Sequence, residues 1–432
     1  MATMLRIGYC LNFLLLSAGL LSGAEPDPVV AALDAHLATH PEGDAAFSFR
    51  RADYEGDLSG LPIGVFDSGI GGLTVLEALF TLDVWHNDNL KPGSDGRPDF
   101  ENERFLYLGD QANMPYGNYA KAGKTDFLRE LILKDAIFLL GRRYHHDGTI
   151  RLDKPPVKAL VIACNTATAY GFEDLKAAVQ RWQLPVLIVG VVEAGARALL
   201  ETKETGAIGV LATVGTCDSG VYPRTIQSTL GRAGRGVATI TQQGSPDLAA
   251  VIEGDPSRRA TVAQQIATDV RHLVERHRAT QDLPEGKPLT SIVLGCTHFP
   301  LVASEIDAAF ASLRRDPDFA PYIAPTRHYV DPAAWTARQL FRELATARLR
   351  RRSGDSGPTD RDQFFLSVPD PNLSRERLNP DGSLTDAYKY GRDPGQSIEA
   401  TLVVPMTRAI LPESGRKLVS EKLPAVWGRL AE

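Results

Sequence analysis

The sequence has 432 residues, of which 43% are hydrophobic and 23% charged, with a formal net charge of −6 and a pI near 5.9. This composition is ordinary for a globular protein and excludes both wholesale disorder and a multi-pass membrane protein. The basic residues form no long patch, which excludes nucleic acid as the main partner, and the length predicts two domains or lobes.

The first element is typical of a secretory signal peptide. Arg6 precedes an uncharged stretch of 18 residues, 7–24, that closes with the small residues Ser22, Gly23 and Ala24. This pattern predicts cleavage after Ala24 and export, to the periplasm in our interpretation. An uncleaved membrane anchor is the alternative, because 18 residues come close to spanning a bilayer. Residues 25–60 are then expected to be a peripheral lead-in.

A first α/β lobe is predicted to begin near residue 61. An apolar strand at 63–66 breaks into glycines and then into helical periodicity from Leu73, and "RFLYLG" forms a second strand. Residues 86–103 between them read as a surface insertion, and a long amphipathic helix fits 124–140. The segments "VKALVIAC", "FEDLKAAVQRW", "PVLIVGVV" and "EAGARALLE" then alternate strand and helix, which indicates a parallel sheet covered by helices.

The pattern restarts at "GAIGVLATVG", and each half delivers one cysteine. The strand beginning at Ile63 precedes Cys164 by 101 residues, and the strand beginning at Ile208 precedes Cys296 by 88 residues. Two pseudo-symmetric lobes of similar plan explain both spacings. Because ligands bind beyond the carboxyl ends of parallel strands, the two thiols are predicted to face each other across an inter-lobe cleft.

The sequence pattern changes in the last part of the chain. Residues 346–432 are predicted to be a linker followed by a C-terminal extension without an assigned role, with the arginines at 348–352 as a solvated helix end. Short strand-like pieces, "FFLSV" and "ATLVV", occur in it.

The glycine-rich "DSGIGG" favours an anion site. Backbone N–H groups at a helix start attract anions, but no Lys-Ser or Lys-Thr follows and the spacing is not that of a dinucleotide fingerprint, so a carboxylate fits better than a nucleotide. Asp67, at the strand end, has two interpretations. It caps the following helix, or it serves the site.

The cysteines after residue 24 number three, Cys164, Cys217 and Cys296, which fits a disulfide framework poorly. Buried core thiols are the ordinary interpretation. A zinc site formed by Cys164, Cys296 and His298 lacks the usual ligand spacing, so we assign no metal. A protease-like Cys–His pair needs only one thiol, and Cys217 has no counterpart in the other half.

Two facing thiols suit inversion of a stereocentre. One base removes a Cα proton from one face while an acid delivers a proton to the other, and the symmetry of racemisation requires the two groups to be alike. A free thiol has a pKa near ~8.5, so each needs assistance to ionise. We expect Asp67 to assist Cys164 and His298 to assist Cys296, and the scheme requires no cofactor.

Taken together, these motifs resemble those of the cofactor-independent glutamate racemases of the aspartate/glutamate racemase superfamily. The matching stretches, in family order over roughly residues 61–340, are "GVFDSGIGGLTV", "YLGD", "MPYG", "ACNTATA", "VVEAGARAL", "GTCDSGVY", "LGCTHFPL" and "VDPAAWTA". The resemblance implies a racemase core over 61–345, made of two α/β lobes with the site in the cleft, and a substrate that is glutamate or a related acidic amino acid. Such enzymes normally supply D-glutamate to the peptidoglycan of the cell wall, and a homodimer is one of the assemblies left open.

The resemblance also implies the site residues. Cys164 and Cys296 are the proton acceptors and donors, Asp67 and His298 assist them, and Glu253 supports the second thiol. The implied substrate contacts are Asp67, Ser68, Tyr116, Gly117, Asn165, Thr166, Thr297 and His298.

The sequence departs from the family pattern in several places. The usual Asp-Thr-Ala-Arg reads "DQAN", with Gln111 and Asn113, and "GSPD" stands where a cysteine-proline pair is usual. The insertions at 86–103 and 142–156 and the extension after 345 are additional. Two other functions stay open from the residues: an exported acidic amino-acid binding protein without turnover, and a hydrolase or lyase that uses one thiol.

Overall fold

The computed structural model describes residues 27–201, 206–255, 258–280, 287–355, 357–395 and 399–432. The predicted signal peptide, 1–24, lies outside these residues. None of the helices within the described ranges is long and apolar enough to cross a membrane.

The strands form two main sheets and one hairpin. In chain order they are β1 (Ile63–Asp67), β2 (Phe105–Gly109), β3 (Tyr144–His146), β4 (Thr149–Arg151), β5 (Ala159–Ile162), β6 (Leu187–Gly190), β7 (Ala207–Thr213), β8 (Ile240–Ser245), β9 (Leu289–Gly295), β10 (Ile323–Val330), β11 (Gln363–Pro369) and β12 (Thr401–Pro405). The first sheet has the order β12-β11-β2-β1-β5-β6 and the second has the order β10-β9-β7-β8, while β3 and β4 pair with each other.

The two sheets repeat one topology. In the first lobe β1 pairs in parallel with β2 and β5, and β5 pairs with β6. In the second lobe β7 pairs in parallel with β8 and β9, and β9 pairs with β10. Each lobe therefore has its first strand in the middle, beside its second and third, and each thiol follows the third. The predicted fold class, two pseudo-symmetric lobes with mainly parallel sheets covered by helices, is confirmed.

Helices cover both sheets. They are α1 (Pro28–Thr39), α2 (Leu73–Thr81), α3 (Gly117–Lys121), α4 (Thr125–Leu140), α5 (Asn165–Arg181), α6 (Val191–Ala198), α7 (Val214–Asp218), α8 (Val221–Arg232), α9 (Leu248–Glu253), α10 (Val262–Ala279), α11 (Ala303–Leu313), α12 (Pro332–Ala347), α13 (Asp386–Lys389), α14 (Glu413–Lys422) and α15 (Pro424–Trp427). Both faces of the first sheet are buried, since Phe66 and Leu106 belong to one apolar cluster and Val65 and Tyr107 to another. Burial on both faces explains why its strands read as continuous apolar runs.

The helix after Cys164 begins earlier than its periodicity suggests. The apolar pattern indicates a helix from residue 172, but α5 begins at Asn165, and Cys164 is its N-cap residue. The Cys164 sulfur accepts a hydrogen bond from the Ala167 N–H at 3.4 Å. Thr168 stabilises the first turn by donating its hydroxyl to the Cys164 carbonyl at 2.9 Å. The thiol is therefore held between a strand and a helix instead of lying on a loop.

The C-terminal segment joins the first sheet. Strand β11 pairs in parallel with β2, and β12 pairs with β11 in the antiparallel direction. Helix α12 packs through Ala337, Leu340 and Leu344 into the apolar cluster of β1, and α15 contributes Val426 to the same cluster. The arginines expected at a solvated helix end are partly packed, because Arg350 lies 4.3 Å above the Phe341 ring. The extension thus adds two strands and further packing to the first lobe.

Candidate active site

The two predicted thiols lie at equivalent ends of the two sheets. Cys164 follows β5 and Cys296 follows β9, and each is only 6% exposed. Both are free cysteines, as is Cys217, which is part of α7. Each of these two thiols therefore lies where the carboxyl ends of the parallel strands of its sheet meet.

Asp67 holds the glycine loop that precedes α2, as its position at the strand end allowed. Its Oδ2 accepts hydrogen bonds from the N–H groups of Gly69 at 3.2 Å and Gly72, the N-cap of α2, at 2.9 Å. Its Oδ1 is buried and has no hydrogen-bond partner among the described residues. Burial, only partly opposed by His298 and these N–H groups, raises the pKa of the carboxyl. One oxygen therefore holds the glycine loop and the other is available to a ligand.

The surroundings of Cys164 favour the protonated thiol. Its Sγ lies 3.7 Å from the Ser68 hydroxyl and accepts from the Ala167 N–H. Burial raises the pKa of Cys164 strongly, and the negative charges of Asp67 and Cys296 raise it further.

Cys296 lies at the end of a chain of side chains. Its Sγ is 3.6 Å from Nδ1 of His298, and the other ring nitrogen, Nε2, is 2.7 Å from Oε1 of Glu253. Gln111 donates from Nε2 to the second Glu253 oxygen at 3.3 Å. Burial alone would lower the pKa of His298, but the hydrogen bonds to Cys296 and Glu253 outweigh it and raise the pKa well above its usual value. A protonated ring stabilises negative charge on the neighbouring sulfur.

The two lobes meet at this site. The hydroxyl of Thr74, in α2, donates to the carbonyl of Thr297 at 3.1 Å. A Cβ added to Gly71 would clash with the His298 ring and the Thr297 hydroxyl, so glycine is required for the close approach. The glycine loop thus packs directly against the second thiol loop, and the expected position of the site between the lobes follows from these contacts.

Further polar groups face each other across the lobes. The Thr166 hydroxyl lies 3.0 Å from that of Thr213 and 3.1 Å from that of Thr216. Oδ1 of Asn165 accepts from the Tyr222 hydroxyl at 2.5 Å, and its amide N–H donors meet no described acceptor. The sequence did not point to Thr213, Thr216 or Tyr222, although Thr213 stands at the end of β7 as a polar residue after an apolar run, and Thr216 follows in α7.

In the loop of Tyr116 and Gly117, the tyrosine side chain lies within the first lobe and the glycine packs against the second. The Tyr116 hydroxyl lies 2.6 Å from Oδ2 of Asp110 and 2.6 Å from Oδ2 of Asp135. The Tyr116 hydroxyl is therefore already bonded within the first lobe. Gly117 packs close to Thr213, whose Oγ1 would be 3.3 Å from an added Cβ. The backbone groups of this loop are therefore the ones available to bind a ligand.

Among the residues that the structure describes, no group of three or more His, Cys, Asp and Glu side chains is placed to hold a metal ion. Cys164, Cys296 and His298, considered above as zinc ligands, therefore form no such group. The chemistry that this arrangement offers is proton transfer, because a thiol held protonated by burial and a thiol beside a protonated imidazole lie at the strand ends of two lobes whose loops contact each other.

Comparison with known proteins gives consistent matches. The sequence pattern of the family described as Asp/Glu/Hydantoin racemase matches residues 146–339. The chain is 33% identical over 275 residues to a glutamate racemase of Limosilactobacillus fermentum, which covers 64% of this chain and 77% of the relative. It is 32% identical over 328 residues to a glutamate racemase of Thermus thermophilus, covering 76% and 95%. A crystal structure of a glutamate racemase isoform from Bacillus anthracis, 25% identical, aligns over 71% of this chain and 89% of that chain with a TM-score of 0.49.

Proposed function

The chain belongs to the Asp/Glu/hydantoin racemase family, and from this premise we propose that it interconverts L- and D-glutamate by cofactor-independent proton transfer between two thiols. The observation that carries the proposal is the pair Cys164 and Cys296, each buried at the end of the third strand of its own lobe. Inversion at one carbon needs an acid and a base on opposite faces, and two lobes of one topology supply one thiol each.

The first proton transfer is assigned to the Cys296 side of the cleft. With its pKa raised, His298 keeps its proton and stabilises a thiolate at Cys296, which removes the Cα proton. Cys164, held as a thiol by burial, donates its proton to the opposite face of the carbanion. Starting from the other enantiomer, the two sulfur atoms exchange roles.

Substrate binding is assigned to the polar groups around the two sulfur atoms. Glutamate brings one ammonium group and two carboxylates. The unpartnered Oδ1 of Asp67 is a suitable acceptor for the ammonium group. The carboxylates need donors, which Ser68, Thr297, the amide of Asn165 and the backbone of Gly117 can supply, together with the hydroxyl of Thr166.

Incubation of the protein with L-glutamate in deuterated water tests the proposal. We expect D-glutamate that carries deuterium at Cα, while the remaining L-glutamate keeps protium at early times, because the incoming proton comes from the thiol that did not take the outgoing one. Chiral chromatography with mass spectrometry measures the deuterium content of both D-glutamate and L-glutamate. Absence of deuterium from every acidic amino acid offered would contradict the assignment.

We further propose that the enzyme is exported with cleavage after Ala24. Support comes from Arg6 followed by the uncharged residues 7–24 and the small residues before Glu25. Mass spectrometry of the protein from the native envelope should give a mature chain that begins at Glu25. A chain that retains residues 1–24 in the cytoplasmic fraction would show that this proposal is wrong without affecting the racemase assignment.

A further inference from the structure

A cavity lies within the first lobe. It has a volume of about 70 Å³, and its walls come from α4, from residues 45–48 of the lead-in and from the C-terminal extension. Neither thiol, Asp67 nor His298 lines it. Since a single water needs roughly 10–15 Å³ by the same measure, the space suits a ligand of a few heavy atoms.

The cavity combines apolar walls with a buried carboxyl group. Rings and aliphatic side chains form most of its surface, among them Phe47, Phe127, Phe138, Tyr144 and Val403. Asp135, in α4, lines it and is only 7% exposed. The Asp135 Oδ2 is engaged with the Tyr116 hydroxyl, and no described residue donates a hydrogen bond to Oδ1. Both oxygens of the neighbouring Asp110 are occupied by Asn113, Tyr116 and Ser367.

The basic residues of the cavity already have partners. Arg143 forms a bidentate pair with Glu399, at 2.5 and 3.1 Å. Lys134 pairs with Glu130 at 2.6 Å and lies 4.4 Å above the Phe47 ring. Arg392 lies 4.7 Å above the Phe127 ring and donates to Asn113. Asp135, whose Oδ1 accepts no hydrogen bond from a described residue, is thus the charged group that a ligand can bind.

The contacts of Tyr116 require one proton more than its hydroxyl supplies. The charged side chains that line the cavity are Asp110, Asp135 and Glu399 with Lys134, Arg143 and Arg392, and His145 lies 3.2 Å from Glu399. A tyrosine hydroxyl has one proton to donate, and yet that of Tyr116 lies 2.6 Å from both Asp110 and Asp135. One carboxyl must then carry the second proton. Burial, followed by the charge of Asp110, raises the pKa of Asp135 well above its usual value.

From this arrangement we propose that the cavity binds a small organic cation, of the size of ethylammonium, whose ammonium group donates to Oδ1 of Asp135 while that carboxyl releases its proton to solvent and the Tyr116 hydroxyl donates to one of its two carboxylate neighbours. The ammonium group is held by the Asp135 carboxylate and the alkyl part contacts the apolar wall. The extension closes one side of the site through Ser367, Thr401 and Val403. Because Tyr116 precedes Gly117, the occupied site is connected to the loop that reaches the thiol cleft.

Calorimetric titration of the full chain with ethylammonium chloride tests the site. We expect saturable binding accompanied by proton release, which is measured by repeating the titration in buffers of different ionisation enthalpy. Ethanol and sodium acetate, similar in size but neutral and negative, should not bind. No saturable heat with ethylammonium, or equal binding of ethanol or acetate, would overturn the proposal.

A matched pair of variants locates the binding. Asp135→Asn keeps an oxygen for the Tyr116 hydroxyl but has no charge, and should weaken ethylammonium binding by roughly 10-fold or more. Asp360→Asn removes the same charge from an exposed position, where the side chain is 91% exposed, and should bind as the unmodified chain does. Undiminished binding by a folded Asp135→Asn variant would place the cation elsewhere and refute the site. If that variant does not fold, the comparison of the three probes on the unmodified chain still decides.

Discussion

Replacing either Cys164 or Cys296 by serine is expected to abolish the inversion of glutamate, with a loss of about 1,000-fold or more in turnover. A serine hydroxyl is far too weakly acidic to replace a thiol in proton transfer at this site. Each variant keeps one thiol, so each should still exchange the Cα proton of one enantiomer with deuterated water without inverting it. The two variants should act on opposite enantiomers.

Cys217→Ser is the matched control for these two variants. Cys217 is a free cysteine in α7, and burial raises its pKa to about 12, which makes it unreactive. Its replacement should leave racemisation within about 2-fold of the unmodified rate, since Cys217 is neither of the two strand-end thiols and an exchange of sulfur for oxygen changes the size of the side chain little. If the Cys164 and Cys296 variants exchanged the same enantiomer, or if both still racemised glutamate, the two-thiol mechanism would be wrong.

Replacing His298 by asparagine is expected to lower kcat/KM by roughly 100-fold or more, because the thiolate at Cys296 loses its cationic neighbour. The equilibrium constant of racemisation is one, so kcat/KM must fall equally in both directions. The two directions should differ instead in the kinetic isotope effect of the variant. With Cα-deuterated substrates, the effect should increase most for the enantiomer whose proton Cys296 removes. Glu253→Gln, which keeps a hydrogen-bonding oxygen without the charge, should give a smaller loss.

The pH dependence of stability offers an independent measurement on the same residue. The pKa of His298 in the folded chain is raised above its ordinary value of 6.5. Its contribution to folding is therefore fully present below pH 6.5 and is lost as the pH rises through the folded pKa. The difference in unfolding free energy between the unmodified chain and His298→Asn, measured with denaturant, should shrink toward alkaline pH. A difference that grows with pH would contradict the imidazolium assignment.

Local sequence patterns predict β1, β2, β5, β6 and β7 well, because buried parallel strands are continuous apolar runs. They do not predict β8, "ITQQGS", or β10, "IAPTRHYV", which are not such runs. They predict the start of α5 poorly. Asn165, Thr166 and Thr168 are weak helix formers in isolation, and the first turn is stabilised by the Cys164 sulfur and by the Thr168 hydroxyl, which the apolar periodicity does not contain. The thiol that matters most for the chemistry is thus part of a helix cap.

Some residues of the candidate site can be predicted from the sequence and others cannot. Its thiols and Asp67 are visible in the sequence, since they stand at strand ends beside glycines and polar residues. The link from Gln111 to Glu253 joins residues 142 positions apart, and only tertiary structure brings them together. For Tyr116, the resemblance implies a substrate contact, which stays a prediction. The structure adds that its hydroxyl lies within hydrogen-bond distance of Asp110 and Asp135.

The place of β11 limits how copies of this protein can associate and how far the chain can be shortened. Without β11 and β12, the backbone of β2 would form the outer margin of the sheet, with its polar groups open to any passing strand, a known route to aggregation. Here the chain covers that margin itself. Self-association by continuation of the sheet beyond β2 is therefore blocked, and a minimal version of the enzyme that stops before residue 363 would expose a surface that the natural sequence keeps closed.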